Sequence, residues 1–180
     1  TPVINDGTAD SLDEYRVEFV TPPLNYSDIE LLQRIIRRLK EGGAKAHRSC
    51  GIHIHVDGAN HNPKSLRRLV NFMTSRQDLI YEALEIGDRE SSWCHKLNSN
   101  LLIAMKKDKD ITKEKAEEIW YSRANDGYCG GIDHQHYNTT RYHGVNLHSY
   151  FTKGTVEFRL FNSTLHAGKI KAYIQFCLAV

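Results

Sequence analysis

Two segments of the sequence alternate residue by residue between apolar and polar side chains, and this pattern constrains the fold more than any other feature. A period of two is typical of a strand with one apolar and one polar face. It occurs in residues 51–57 and again in residues 155–162. Both segments are therefore predicted to be strands whose apolar faces lie against a core covered by helices.

Two further strands are predicted from weaker patterns. Residues 15–20 alternate in the same way. Residues 142–151 predict another strand, joined to residues 155–162 by a three-residue turn in which Gly154 takes the left-handed conformation. Such a hairpin makes at least part of the sheet antiparallel.

Apolar residues spaced three and four apart predict helices between and after these strands. The first helix starts at a capping box in residues 27–30, and the second starts where Asn62 precedes Pro63. Two later helices are predicted over residues 112–123 and at the C-terminal end. An antiparallel sheet with helices packed on one face is an α+β fold, and a length of 180 residues suits a single domain.

Charge and composition argue against several classes of function. The net charge of +2 leaves no excess of basic residues for a nucleic-acid clamp, and no apolar run approaches the length of a membrane span. The four cysteines lie 35 to 48 residues apart, which is unlike a metal knuckle or a redox motif. We therefore expect free thiols, a cytoplasmic location, and neither nucleic acid nor a membrane as a partner.

The polar faces of the two best-defined strands carry the residues that suggest chemistry. His53 and His55 share one face of the first strand, and Glu157 and Arg159 share one face of the second. Imidazole nitrogen and carboxylate oxygen are metal ligands, and a guanidinium binds anionic groups through paired hydrogen bonds. A solvent-exposed strand face would also explain the two histidines, and a surface ion pair would also explain Glu157 and Arg159.

Glu18 strengthens the metal hypothesis. It lies on the polar face of the strand predicted over residues 15–20, so three strands carry acid or imidazole groups opposite their apolar residues. If these faces converge, two acids and an imidazole would hold a hard divalent cation such as Mg²⁺ or Mn²⁺. Arg159 would then bind an anionic group of the substrate.

Two neighbouring regions contain further candidate residues. Asn146 and His148 share a face of the strand predicted over residues 142–151 and are candidates for lining the site. Residues 125–140 form a predicted loop rich in Asn, Gly, His and Thr, which is long enough to suggest a function. His134 and His136 in this loop would belong to a second metal site, to a substrate lid or to a solvated surface.

Four motifs, in this order, resemble the putative amidoligase family, whose members are carboxylate–amine ligases related to glutamine synthetase and glutamate–cysteine ligase. The motifs are VEFVTPPL at residues 17–24, CGIHIHVD at 50–57, RYHGVNL at 141–147 and GTVEFRLFN at 154–162. The resemblance implies a glutamine-synthetase-like catalytic fold whose antiparallel sheet is half of a barrel. It also implies ATP-dependent joining of a carboxylate to an amine through a carboxyl-phosphate intermediate.

The resemblance further implies roles for individual residues. The implied ligands of Mg²⁺ or Mn²⁺ are Glu18, His53 and Glu157. The implied contacts of the ATP phosphates are His55 and Arg141. Arg141 would also stabilise the transition state, and Arg159 would anchor the substrate carboxylate. The implied partners are a small-molecule or peptide carboxylate and an amine, and the oligomeric state stays open.

One departure from the family's pattern affects the expected domain. The family usually begins with an earlier strand that carries Glu-x-Glu, and no such pair precedes Glu18. We therefore expect residues 1–180 to be a single amidoligase-like catalytic domain without its first strand. Two alternatives stay open, which are a metal-dependent hydrolase or oxygenase that uses His53, His55 and Glu157, and an inactive binding fragment.

Overall fold

The computed structural model describes residues 3–4, 17–126 and 131–180. They form an α+β fold with helices and a three-stranded antiparallel sheet. The strands, in chain order, are β1 (Val3–Ile4), β2 (Glu18–Phe19), β3 (Gly51–Asp57), β4 (Val145–Asn146) and β5 (Thr155–Asn162). The helices are α1 (Ile29–Glu41), α2 (Pro63–Ala83), α3 (Ser99–Lys106), α4 (Lys113–Trp120), α5 (Arg123–Asp126), α6 (His148–Lys153) and α7 (Ala167–Ala179).

The chain packs into two compact units. The first comprises residues 1–52 and 162–179, and the second comprises residues 53–161 together with Val180. Within the described residues no helix is both long and apolar enough to cross a membrane. The described cysteines Cys50, Cys94 and Cys177 are free thiols, as expected.

The first unit is built on the packing of α1 against α7. Its core is made of aliphatic residues from the two helices, which are Leu32, Ile36, Ala167 and Ile170. Phe19 of β2 packs partly buried against this cluster, whereas its neighbour Glu18 is exposed. β2 pairs antiparallel with β1, and Glu18 lies opposite Ile4. The strand predicted over residues 15–20 is therefore found at Glu18–Phe19, while residues 15 and 16 lie outside the described part of the chain.

The ends of α1 follow from local hydrogen bonding. A short helical turn, Tyr26–Asp28, precedes α1, and its N-cap is Asn25. The Asp28 carboxylate accepts a 2.9 Å hydrogen bond from the Asn25 backbone N–H. The cap therefore lies two residues before residue 27, where the predicted capping box starts. At the other end Gly42 caps the helix, and Gly43 has a φ of 91°, a conformation that glycine adopts without steric cost.

The second unit holds most of the three-stranded sheet. β5 lies in the middle, with β3 on one side and β4 on the other. The register of β4 against β5 places Asn146 opposite Glu157. The bounds predicted for the strands at residues 51–57 and 155–162 are confirmed.

The prediction of a strand over residues 142–151 is wrong for most of its length. β4 covers two residues, and α6 begins directly afterwards at His148. The Leu147 carbonyl accepts from the N–H groups of Tyr150 and Phe151, which closes a helical turn. Gly154 does have the predicted positive φ, 75°, but it ends α6 as a left-handed cap and does not form a three-residue hairpin. A short run of apolar and aromatic residues fits a strand or a helix equally well, which is why the sequence pattern misled.

The helices α2, α3, α4 and α5 lie in the second unit and pack against one another. Asn62 caps α2 as predicted, and its side chain accepts from the Ser65 N–H at 3.0 Å. Thr112 caps α4 in the same way, although that helix ends at Trp120, before the predicted position. The loop predicted over residues 125–140 contains no strand or long helix where it is described, and residues 127–130 lie outside the description.

Candidate functional site

The carboxylate of Glu157 is the centre of a polar cluster on the sheet of the second unit. Arg159 Nη1 donates to its Oε1 at 2.9 Å, and Asn146 Nδ2 donates to its Oε2 at 2.6 Å. His53 Nδ1 and His55 Nε2 lie 3.5 and 3.6 Å from the same Oε1. The structure therefore brings together five residues singled out in the sequence, because Asn146 was also a candidate for lining the site.

The sheet order explains how this cluster forms. Glu157 and Arg159 lie two residues apart on central strand β5, so their side chains share a face. β3, on one side, contributes His53 and His55 from one of its faces, and β4, on the other side, contributes Asn146. Period-two alternation on adjacent strands is thus sufficient to gather these groups around one carboxylate.

The cluster is less exposed than a solvated strand face would be. Glu157 and Arg159 are 5% and 4% exposed. His53 and His55 have 34% and 37% of their side-chain surface exposed. The interpretation of Glu157 and Arg159 as a surface ion pair is wrong, because both side chains are buried.

The charges of the cluster fix its protonation at neutral pH. Burial by itself would raise the pKa of Glu157, but the Arg159 charge and the hydrogen bond from Asn146 hold that pKa below its usual value. Burial, and then the Arg159 charge, lower the pKa of His53 to about 3. Burial also lowers the pKa of His55. The result is an ionised carboxylate next to two neutral imidazoles, and neutral imidazole is the form that binds metals.

Arg159 has further contacts that hold it in place. Its Nε donates to the Trp93 carbonyl at 3.4 Å, and its guanidinium carbon lies 5.6 Å from the centre of the Tyr142 ring. Arg89, another buried arginine, donates to the carbonyls of Phe161 and Arg159. The structure thus shows Arg159 as the partner of Glu157, and its predicted role as a substrate anchor stays a prediction. From the sequence, Arg89 was only a candidate for contacting nucleotide or substrate, because the pattern left the secondary structure of residues 88–111 open and the spacing of Arg89 assigned it no role.

Arg141 contacts His136 and Tyr137 in the loop predicted over residues 125–140, which is called the His-rich loop below. Its Nη1 donates to the His136 carbonyl at 2.7 Å, and its guanidinium lies 5.6 Å from the ring centres of both Tyr137 and Tyr142. The charge of Arg141 is one of the causes of the lowered pKa of His55, after burial. The predicted contact of Arg141 with phosphate stays a prediction.

The other predicted residues are found in different surroundings. Glu18 lies in β2 of the first unit, and its role as a metal ligand stays a prediction. His148 is not on a strand face: it begins α6, and its Nδ1 is 2.6 Å from the hydroxyl of the buried Tyr121. His134 bonds through Nε2 to Glu117 Oε1 at 2.6 Å, so that part of the loop is tied to α4.

The donor atoms around Glu157 are compatible with a divalent cation. Two atoms that bind one cation at about 2.1 Å each are roughly 3.0 to 3.4 Å apart. The separations of 3.5 and 3.6 Å between the histidine nitrogens and Oε1 come close to this. Asn146 is 1% exposed, and its Oδ1 has no hydrogen-bond partner among the described residues, so it offers a further oxygen ligand.

The side chains in this cluster do not by themselves complete the coordination of a metal ion. Within residues 3–4, 17–126 and 131–180 no group of three or more His, Cys, Asp or Glu side chains could by itself hold a metal ion. Mg²⁺ is commonly bound by one or two carboxylates, with waters and substrate phosphates as its other ligands. The residues present therefore supply at most part of the ligand set of a divalent cation.

Comparison with known proteins identifies the family. The sequence profile of a family described as putative amidoligase enzyme matches residues 4–180. The chain therefore belongs to this family, in agreement with the four motifs. No curated protein and no solved structure is significantly similar to the chain.

Proposed function

We propose that the protein is an ATP-dependent carboxylate–amine ligase that uses Mg²⁺ or Mn²⁺ and forms an amide bond through a carboxyl-phosphate. The observation that carries the proposal is the buried Glu157 carboxylate, with one nitrogen of His53 and one of His55 within 3.6 Å of its Oε1. Membership of the family supports the ligase class. The proposal includes a glutamine-synthetase-like catalytic fold for the single domain and a cytoplasmic location.

The proposed reaction has two steps. In the first, an oxygen of the substrate carboxylate attacks the γ-phosphorus of ATP, the bond to the β-phosphate oxygen breaks, and ADP leaves. In the second, the amine nitrogen attacks the acyl carbon, inorganic phosphate leaves with the electron pair of the C–O bond, and the nitrogen loses a proton. Phosphoryl transfer of this kind depends mostly on positioning and on neutralising charge.

The cluster on the sheet supplies groups for that neutralisation. His53 and Glu157 would hold the divalent cation, with Asn146 as a further oxygen ligand. When bound, such a cation neutralises charge on the transferred phosphoryl group and orients it. Arg159 keeps the Glu157 carboxylate ionised and in place through the 2.9 Å contact. The roles of Glu18 as a ligand, of Arg141 at the phosphates and of Arg159 at the substrate carboxylate are proposed from the resemblance.

The test is a paired measurement of binding and turnover. Calorimetry with a non-hydrolysable ATP analogue is expected to show binding that requires Mg²⁺ or Mn²⁺ and is lost in Glu157→Gln. ADP release is then screened against a panel of carboxylates, each with and without amines. No binding of the analogue with either metal would overturn the proposal. Metal analysis of the purified protein tests the main alternative, since a stoichiometric, tightly held Zn or Fe would favour a hydrolase or oxygenase.

A further inference from the structure

We propose that the exposed face of helix α2 is a docking surface for a second copy of this chain, with the two α2 helices packed antiparallel. This surface, named the α2 face, is formed by Arg68, Phe72, Ser75, Leu79 and Glu82, all of which are exposed. It lies outside the Glu157 cluster, and the proposal does not depend on the proposed function.

Two large apolar side chains of α2 face solvent, although the opposite side of the helix is buried. Phe72 is 41% exposed and Leu79 is 65% exposed, whereas Leu66, Val70 and Met73 are at most 2% exposed. Seven positions separate the two exposed residues, which is close to two full turns of a helix. They therefore lie on one stripe, and a single helix packed along that stripe would bury both.

Two opposite charges flank this apolar stripe. Arg68 lies about one turn before it, and Glu82 lies about one turn after it. Neither side chain forms an ion pair within the described part of the chain. Lys64 of the same helix, by contrast, contacts Asp110 at 3.1 Å. The charges of Arg68 and Glu82 are thus available to a partner that carries the complementary charges at the same spacing.

The order of these residues is complementary to itself when the helix is reversed. The pair Phe72 and Leu79 is centred between positions 75 and 76, and the pair Arg68 and Glu82 is centred on position 75. A two-fold axis there brings Phe72 of one copy against Leu79 of the other, and Arg68 against Glu82. Each contact then occurs twice. A parallel pair would place like charges together, so the charges favour the antiparallel arrangement.

The residues next to the axis set how close and how strong the pairing is. Ser75 is small, so the helices approach closely where they cross. Its Oγ donates to the Phe72 carbonyl of its own helix at 3.0 Å, so burial leaves this hydroxyl with a partner. Arg76 opposes the pairing, because the axis places it beside its own copy, although both long side chains still reach water. One helix from each copy buries less area than a standard interface, so we expect a Kd of about 10–100 µM.

Sedimentation of the whole chain, at concentrations from about tenfold below to tenfold above this Kd, measures the dimer. The wild-type chain is expected to shift from the mass of a monomer towards that of a dimer. Arg68→Glu and Glu82→Arg each place like charges across the axis and should weaken the dimer about tenfold. The double variant Arg68→Glu with Glu82→Arg restores opposite charges and should recover the wild-type Kd. Lys115→Glu, at an exposed position of α4, changes the net charge as Arg68→Glu does and should leave the Kd unchanged.

Two further variants test the apolar stripe and the axis. Leu79→Lys should abolish the dimer, because it buries a charge without a partner. Arg76→Ser removes the contact between like charges and should tighten the dimer. A weaker dimer in Arg76→Ser, or an unchanged dimer in Leu79→Lys, would overturn the proposal.

The outcome of the charge exchange is decisive for the register. Recovery in the double variant would exclude misfolding as the cause of weakening in either single variant. A double variant as weak as the single ones would overturn the pairing of Arg68 with Glu82. A wild-type chain that stays monomeric over the whole range would overturn the proposal, and a different protein would then be the candidate occupant of the α2 face.

Discussion

The Asn146 side chain donates a 2.6 Å hydrogen bond to Glu157 Oε2, and this contact fixes the orientation of the amide. An ionised carboxylate only accepts, so the amide nitrogen must face it and Oδ1 must point elsewhere. That oxygen is buried and has no hydrogen-bond partner among the described residues. A buried acceptor without a partner is unfavourable, and a ligand that supplies a cation or an N–H group would relieve the cost.

Asn146→Asp tests this relationship with a nearly isosteric change. The substitution removes the donor to Glu157 and places a second carboxylate beside it, so we expect the metal-free protein to lose about 2 kcal/mol in free energy of unfolding. Mn²⁺ should bind more tightly and restore part of that loss. Denaturant unfolding with and without Mn²⁺ measures both effects. Asn100→Asp, at an exposed position, is the control and should change the free energy by less than about 0.5 kcal/mol.

Glu157→Gln is expected to destabilise the fold more than loss of a surface ion pair would. It leaves the buried Arg159 without its partner carboxylate, and breaking a buried pair in this way typically costs about 3 kcal/mol. Glu118→Gln breaks the exposed contact with Lys115 and should cost less than about 1 kcal/mol. Replacing Arg159 by Met in the Glu157→Gln background should recover stability, because no charge is then left buried. Equal costs for the two glutamine variants would contradict the burial of this pair.

The stability of the protein should depend on pH through His53. Its pKa is about 3 in the folded state and near 6.5 when unfolded, so between these values the unfolded chain binds more protons. Stability is therefore fully present above pH 6.5 and is lost as the pH falls towards 3. The lowered pKa of Glu157 acts in the same direction below about pH 4.5.

Unfolding by denaturant at a series of pH values measures this dependence. His53→Gln should flatten the slope of stability between pH 6.5 and 5, where Glu157 contributes little. His47→Gln, at an exposed histidine outside the cluster, should keep the wild-type slope. A wild-type slope in His53→Gln would show that the folded protein tolerates a charged imidazole at this position.

The sequence predicted the two long strands and the meeting of their polar residues, because alternation alone decides which side chains share a face. It could not predict that Glu157 and Arg159 are buried, since the same alternation describes a solvated face and a covered one. The contacts of Ser149 with His55 and Thr155 were missed for a different reason. Residues 142–151 were assigned to a strand, and only the turn of α6 brings the Ser149 hydroxyl to Thr155 and His55.

Arg141→Lys should loosen the His-rich loop without changing the net charge. Lysine lacks the planar guanidinium that bonds to the His136 carbonyl and lies beside the Tyr137 and Tyr142 rings. Amide hydrogen exchange over residues 135–138 should therefore become roughly tenfold faster, which corresponds to the loss of about 1.4 kcal/mol of local stability.

Arg67→Lys provides the matched control for that experiment. The Arg67 guanidinium also bonds to a backbone carbonyl, that of Asp108 at 2.8 Å, but in a different loop. The Arg67→Lys variant should therefore speed amide hydrogen exchange near residue 108 and leave exchange over residues 135–138 unchanged. If Arg141→Lys left exchange in the His-rich loop at the wild-type rate, the 2.7 Å contact would contribute nothing to its order. A loss of nucleotide affinity in Arg141→Lys would then report on direct contact with phosphate, because the loop itself would be unaltered.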